Sequence, residues 1–177
     1  MAARGQTLRL SASERVTVRR PAAETGGALL ELEAAYSPRG RPPAEHYHPA
    51  QEEHFEVLEG TVRTRVGGAD RRLATGETLV VSPGVRHTFW NAGDEEARLR
   101  WEVRPALRTE EFFETVDALV RSGKMRGTRP DPLLGFLLLR RYAPEFRLTS
   151  PPGILQRPAF AALAVCARIA GRRLPRV

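Results

Sequence analysis

Apolar and polar residues alternate with a period of two through much of the chain as far as Pro105, and the pattern then changes. The clearest stretch is Ala28–Tyr36, where Leu30, Leu32, Ala34 and Tyr36 share one face and Glu31 and Glu33 the other. Such alternation marks a strand with one buried face. It recurs in Thr61–Val66, where Val62, Thr64 and Val66 alternate with Arg63 and Arg65. It recurs again where Ala97, Leu99, Trp101 and Val103 alternate with Arg98, Arg100, Glu102 and Arg104. Thr7–Leu10, Glu14–Arg20, Glu52–Leu58, Thr78–Val81 and His87–Asn91 are further predicted strands. Pro21–Gly27, Ser37–Ala44, Gly67-Gly68, Ser82-Pro83-Gly84 and Gly93–Glu96 supply the turns. Glu52–Leu58 and Thr61–Val66 read as a hairpin about Glu59-Gly60. Short strands at regular spacing, with nothing resembling a βαβ unit, predict an antiparallel sandwich or barrel.

Beyond Pro105 the period becomes helical. Thr109 is placed to cap a helix with Glu110 and Glu111 in its first turn, Phe112, Phe113, Val116, Leu119 and Val120 as its apolar face, and Gly123 as its stop. Asp131-Pro132 opens a second helix running to about Tyr142. A third is expected from about Pro158 to Ala170. The second and third are apolar beyond a single stripe, so they need a large partner surface. Three arrangements supply one: packing on the barrel and across a homodimer, a helix on a membrane surface (Arg168, Arg172, Arg173 and Arg176 follow an apolar run), or a lid over the barrel mouth. The organisation expected is N-terminal strands over 1–26, a barrel over 27–105 and a helical extension over 106–177.

Composition narrows the classes. A chain of 177 residues allows one core that buries roughly 70% of the unfolded surface. The net charge of +7 invites a nucleic-acid reading, but Lys124 is the only lysine, and the arginines are scattered among acids without a helix-turn-helix, zinc-finger or stacking pattern. No nucleic-acid partner is expected. The single Cys166 excludes an intramolecular disulfide framework, and its apolar neighbourhood predicts a buried, inert thiol. Met1–Leu10 has no apolar core of signal-peptide length, and no run approaches the ~18–20 apolar residues of a membrane span. A soluble cytoplasmic protein is the expectation.

The candidate chemistry lies in three of the four histidines and one acid. His46 and His48, two apart, point to the same face of a strand. Glu53 lies beyond Pro49, where the chain can turn into the next strand, and His87 follows a Pro-Gly turn. Phe55 and Val57 share the face of Glu53, which favours it over Glu52 as the inward acid, whereas His54 faces the other way. Neutral imidazoles and a carboxylate suit Fe, Mn, Ni, Cu or Zn better than Ca or Mg.

These residues sit in two stretches, Gly40-x5-His46-x-His48-x4-Glu53-x6-Gly60 and Gly76-x5-Ser82-Pro83-Gly84-x2-His87-x3-Asn91, that resemble the paired motifs of the cupin superfamily. The first satisfies every fixed position; in the second, Ser82 stands where the family has proline and Pro83 follows one residue later. The resemblance covers about residues 27–105. It implies an all-β jelly-roll barrel of antiparallel strands, to which a C-terminal α-helical extension is added. It also implies one divalent transition metal on His46, His48, Glu53 and His87. The inward face would then make Tyr36, Phe55, Phe89 and Trp101 the lining of a largely apolar site for a hydrophobic or aromatic small molecule. A metal-dependent enzyme with dioxygenase-like oxidoreductase chemistry is the first expectation, with Glu53 both ligand and nearby base. Isomerase, cyclase or decarboxylase chemistry through a Lewis-acid metal is the alternative, and a non-catalytic ligand-binding or sensor barrel is the rival class.

Overall fold

The structure is a computed structural model; it describes residues 2–126, 129–150, 163, 165–167 and 169–175. Among the described residues there are thirteen strands: β1 (Thr7–Arg9), β2 (Glu14–Arg20), β3 (Leu30–Tyr36), β4 (His46–Tyr47), β5 (Glu52–Glu59), β6 (Thr61–Val66), β7 (Ala69–Ala74), β8 (Thr78–Val81), β9 (His87–Trp90), β10 (Ala97–Arg104), β11 (Met125–Arg126), β12 (Arg129–Pro130) and β13 (Arg147–Leu148). The helices α1 (Thr109–Arg121) and α2 (Pro132–Arg141) follow the barrel strands.

Two antiparallel sheets face each other. One has the order β1-β2-β3-β10-β5-β8 and the other β13-β4-β9-β6-β7. From β3 to β10 the chain alternates between them, and only β6 and β7 are sequence neighbours paired within one sheet. This crossing pattern is the jelly roll. It replaces the expected hairpin of β5 with β6: those strands lie in different sheets, and β5 pairs with β8 and β10 instead. Alternation reports which face of a strand is buried but not its neighbour, so two strands joined by a tight turn looked like a ladder pair.

Gly60 makes that crossing possible. Its φ is +76°, and a Cβ there would stand 2.9 Å from the Glu96 carbonyl oxygen. Both conformation and space therefore demand glycine. Gly60→Ala is expected to lower unfolding free energy by about 1–3 kcal/mol, measurable as an earlier denaturation midpoint. A midpoint within error of the parent would show that the corner is not under this constraint. Strand β7 was not anticipated. Of its residues only Leu73 is buried, so it carries no alternating signal.

The core fills the space between the sheets with Val16, Val18, Leu30, Leu32, Ala34, Val57, Leu99 and Val103, all at 1% exposure or less. The outer face of the larger sheet carries the arginines in pairs with acids, including Arg98 and Arg19 with Glu33 and Arg100 with Glu56. α1 lies against β1, where the Arg9 amide donates to Asp117 Oδ1 at 2.9 Å, and the edge strand is thereby covered.

Thr109 is the first helical residue, not the cap, which is Arg108. Its hydroxyl instead accepts a hydrogen bond from Gln51 Nε2 at 2.8 Å, tying the helix start to the segment entering β5. α2 is capped as expected by the Asp131 side chain. Its Leu138 packs with Tyr142 and Val116 of α1. The third expected helix falls mostly outside the described residues; 163, 165–167 and 169 are helical. Cys166 is exposed there, not buried as expected. Ala167 beside it is the buried one, so the apolar run presents the thiol on its outward side. No helix among the described residues is long and apolar enough to cross a membrane.

Candidate metal centre

β4 is only two residues long because prolines flank it at 42, 43 and 49, and proline cannot donate to a ladder. His46 on β4 lies directly across from His87 on β9. His48 follows the strand end, where its carbonyl accepts from the Gly84 amide at 2.8 Å. The second motif's glycine thus holds the first motif's histidine loop. Gly40 and Asn91 also meet: the Gly40 amide donates to the Asn91 carbonyl at 2.7 Å, and a Cβ on Gly40 would crowd that oxygen at 3.1 Å. These motif positions shape the corners around the centre.

The ligand nitrogens of His46, His48 and His87 all lie within 4.8 Å of one another. Each Nδ1 is committed to a backbone carbonyl: His46 to Ala44 at 3.2 Å, His48 to Glu145 at 2.5 Å and His87 to Val85 at 3.0 Å. A carbonyl only accepts, so each Nδ1 carries the proton and each neutral ring bears its lone pair on Nε2. Glu53, on the opposite sheet, is 1% exposed and places its oxygens 3.3 Å from His48 Nε2 and 2.9 Å from His87 Nε2. Trp101 Nε1 donates to Glu53 Oε1 at 3.0 Å and fixes its orientation. Despite the short approach of His87, Glu53 Oε2 lacks a hydrogen bond of good geometry, as does the buried His48 Nε2. Unpaired buried acceptors turned toward one point are expensive, and a cation between them would satisfy both. The three imidazoles thus fit a transition metal, with the Glu53 carboxylate beside two of them and outside their group of mutually close donor atoms.

Electrostatics support the same reading. Burial pushes His46 down to about 3, aided by repulsion from His87 and His48 against the pull of Glu53. It stays neutral and ready to ligate. Burial raises Glu53, but His48, His87 and His46 outweigh it and hold the carboxyl below its ordinary value. Burial opposes charge on His87, yet Glu53 wins and its pKa lies above the usual 6.5. Proton and cation therefore compete for His87 Nε2 in the metal-free protein, where Glu53 favours the protonated ring. Metal affinity is expected to rise as pH increases through that titration and to fall below it, with a proton released on binding. Titrations in buffers of different ionisation enthalpy measure this, and an affinity flat from pH 6 to 8 would refute it.

All three histidines face a cavity of about 620 Å³ between the barrel mouth and the helices. Tyr36, Phe55, Phe89 and Trp101 all line it. Glu53 does not; it lies behind His48 and His87. His54 is turned away as expected and pairs with Glu52 at 2.7 Å.

Residues 33–103 match the model of the Cupin domain. The barrel is a cupin domain. Over 81 residues, 46% of this chain and 52% of the relative, the chain is 36% identical to the tetracenomycin polyketide synthase protein TcmJ of Streptomyces glaucescens. Over 62 residues it is 39% identical to the polyketide synthase CurC of Streptomyces cyaneus, covering 35% of this chain and 40% of the relative. The chain thus spans about half the length of the curated relatives it matches. An RmlC-like cupin from Shewanella frigidimarina NCIMB 400 overlays at 16% identity with a TM-score of 0.49, covering 60% of this chain and 88% of that one.

Four contributions to the cupin centre escaped sequence reasoning. The segment after α2 reaches back so that β13 pairs with β4 at the sheet edge, Leu148 facing His46 in register. Phe146 stacks on His46 with ring centroids 4.6 Å apart. Phe112 of α1 stacks in turn on Phe146 at 5.5 Å, and a two-residue strand leaves no readable period. Glu14 of β2 also lines the cavity. It had a signal: it is in phase with buried Val16 and Val18, an acid on the apolar face.

Proposed function

We propose that this protein is a metal-dependent catalyst for an aromatic or enolisable polyketide-type small molecule, bound in the cavity beside the three histidines. The observation that carries the reading is the set of three Nδ1-anchored imidazoles, their Nε2 atoms facing an aromatic-walled space of about 620 Å³. That volume lies within the ~300–1,000 Å³ of small-molecule sites. The relatives named for polyketide synthases favour a substrate of that class. A divalent transition metal held by His46, His48 and His87, with Glu53 as counter-charge, would supply Lewis acidity toward a substrate oxygen.

The chain's own residues do the rest. The backbone carbonyls of Ala44, Val85 and Glu145 keep the imidazoles oriented; Trp101 keeps Glu53 fixed, and the neighbouring histidines keep it ionised. Phe55, Phe89 and Phe146 exclude water and lie against flat faces of the ligand. A poly-β-ketone has acidic CH groups between carbonyls, and enolisation followed by ring closure is the reaction class suited to such a pocket. Glu53 as the base requires the substrate CH to reach it between His48 and His87. Oxygen-dependent chemistry on a bound enol or phenol remains the second reading, because the same donor set suits iron.

The test loads the protein separately with zinc and with iron(II) and offers cyclic and linear 1,3-diketones. Deuterium exchange at the central carbon, followed by NMR, reports enolisation; an oxygen electrode reports the alternative. Metal-dependent exchange with zinc, lost in His46→Ala, supports the proposal. Oxygen uptake confined to the iron form would shift it to the second reading. Binding without exchange or oxygen uptake under either metal would leave a ligand-binding barrel.

A further inference from the structure

The cavity wall is mainly apolar, and away from the histidines Glu14 and Tyr36 interrupt it together. They face each other in register on adjacent strands β2 and β3. Both also line a recess of about 20 Å³ that adjoins the main cavity, with Pro43 and Phe89 common to the two spaces. That is room for about one water or one ligand oxygen. Asn91, also in the recess, has no donor to spare: its amide nitrogen donates to the Tyr36 and Glu95 carbonyls, and its oxygen accepts from the Gly93 amide. Arg41, at the rim, is exposed. No ion pair of Glu14 occurs among those of the described residues, unlike Glu145, which Arg108 neutralises from the other side of the cavity.

We propose that Glu14 and Tyr36 form a second polar subsite in this cavity, one that takes a hydroxyl group of a flat aromatic ligand whose remaining oxygens face the three histidines. The inference rests on the reading of the cavity as an aromatic-ligand site. A carboxyl oxygen accepts from a ligand hydroxyl, and the tyrosine hydroxyl completes the pair as donor or acceptor. Phe89, which lines both spaces, packs against Phe55 with ring centroids 4.2 Å apart and planes tilted by 32°, so an aromatic ligand reaching the recess runs along an aromatic wall. Burial pushes the Glu14 carboxyl up to about 7, offset in part by the Tyr36 hydroxyl. Near neutrality it exists in both protonation states and suits a weakly acidic hydroxyl partner. Glu14 and Tyr36 also hydrogen-bond each other; a ligand without a hydroxyl covers the remaining carboxyl oxygen without pairing it, and the site disfavours such ligands.

The experiment uses the zinc-loaded full chain and calorimetric titration with 2-naphthol, 2,7-dihydroxynaphthalene and 2,6-dihydroxyanthracene, each diol compared with its monomethyl ether. Wild type is expected to bind at least one diol tenfold or more tighter than its ether. Glu14→Ala and Tyr36→Phe are expected to erase that preference while leaving zinc content and 2-naphthol affinity within about twofold of wild type, which shows that fold and metal site persist. A preference retained in Glu14→Ala, or absent from wild type while the probes bind, overturns this subsite alone. If no probe binds wild type, the aromatic-ligand reading fails and the subsite fails with it.

Discussion

Replacing His46 and His48 together with alanine is expected to reduce bound transition metal from close to one equivalent per chain to almost none, with the barrel still folded. The two rings supply two of three imidazole donors, and a lone His87 beside Glu53 cannot hold a cation against water at micromolar concentration. The fold survives because the core residues, from Val16 to Val103, lie between the sheets and make no use of these rings. The cost is local. The Ala44 and Glu145 carbonyls lose their imidazole donors; Ala44 is exposed to water, and the buried Glu145 carbonyl left unpaired costs about 1–3 kcal/mol. Elemental analysis beside circular dichroism measures both effects. Equal metal in parent and variant would remove the centre on which the functional reading stands.

What could be read from the chain, and what could not, follows from the range of the signals. Ligand positions were legible because the two motifs fix geometry locally. A His-x-His pair on one face, glycines at corners and a Pro-Gly turn each act within a few residues. The inward choice of Glu53 over Glu52 followed from Phe55 and Val57, and Glu53 is buried beside two of the histidines whereas Glu52 pairs with His54. Pairing partners were less legible. The Glu59-Gly60 corner suits a hairpin and a sheet-to-sheet crossing equally, and only the stagger of the whole barrel decides between them. β7 lacked a buried face, and β13 was too short for any period. Contacts such as His48 with Glu145, 97 residues apart, leave no trace in spacing. Glu14 was readable in principle, since an acid in phase with Val16 and Val18 asks for an explanation. Cys166 was misread because an apolar neighbourhood in sequence does not say which side of a helix faces the core.

The long-range contacts lead to the second large effect. Arg108→Ala is expected to weaken metal binding about 10- to 100-fold, although Arg108 is remote from the ligand set in sequence and touches none of the three rings. Arg108 Nε bonds Glu145 Oε1 at 3.1 Å, and its guanidinium also reaches the Arg141 carbonyl. Glu145 is 3% exposed, and Arg108 is its ion-pair partner. The half-exposed arginine is screened, and the ion pair itself contributes modestly. Its larger effect is positional: the backbone of Glu145 receives the His48 Nδ1 proton, and the next residue, Phe146, stacks on His46. Releasing the segment frees two of the three rings to rotate. Loss of such supporting contacts typically costs 10- to 100-fold in metal affinity. Competition with a chromophoric chelator measures the change, and Phe146→Ala, which removes the stack but keeps the ion pair, separates the two contributions. If limited proteolysis shows residues 145–148 released in Arg108→Ala while metal affinity stays that of the parent, the extension is a cover for the cavity and takes no part in holding the ion.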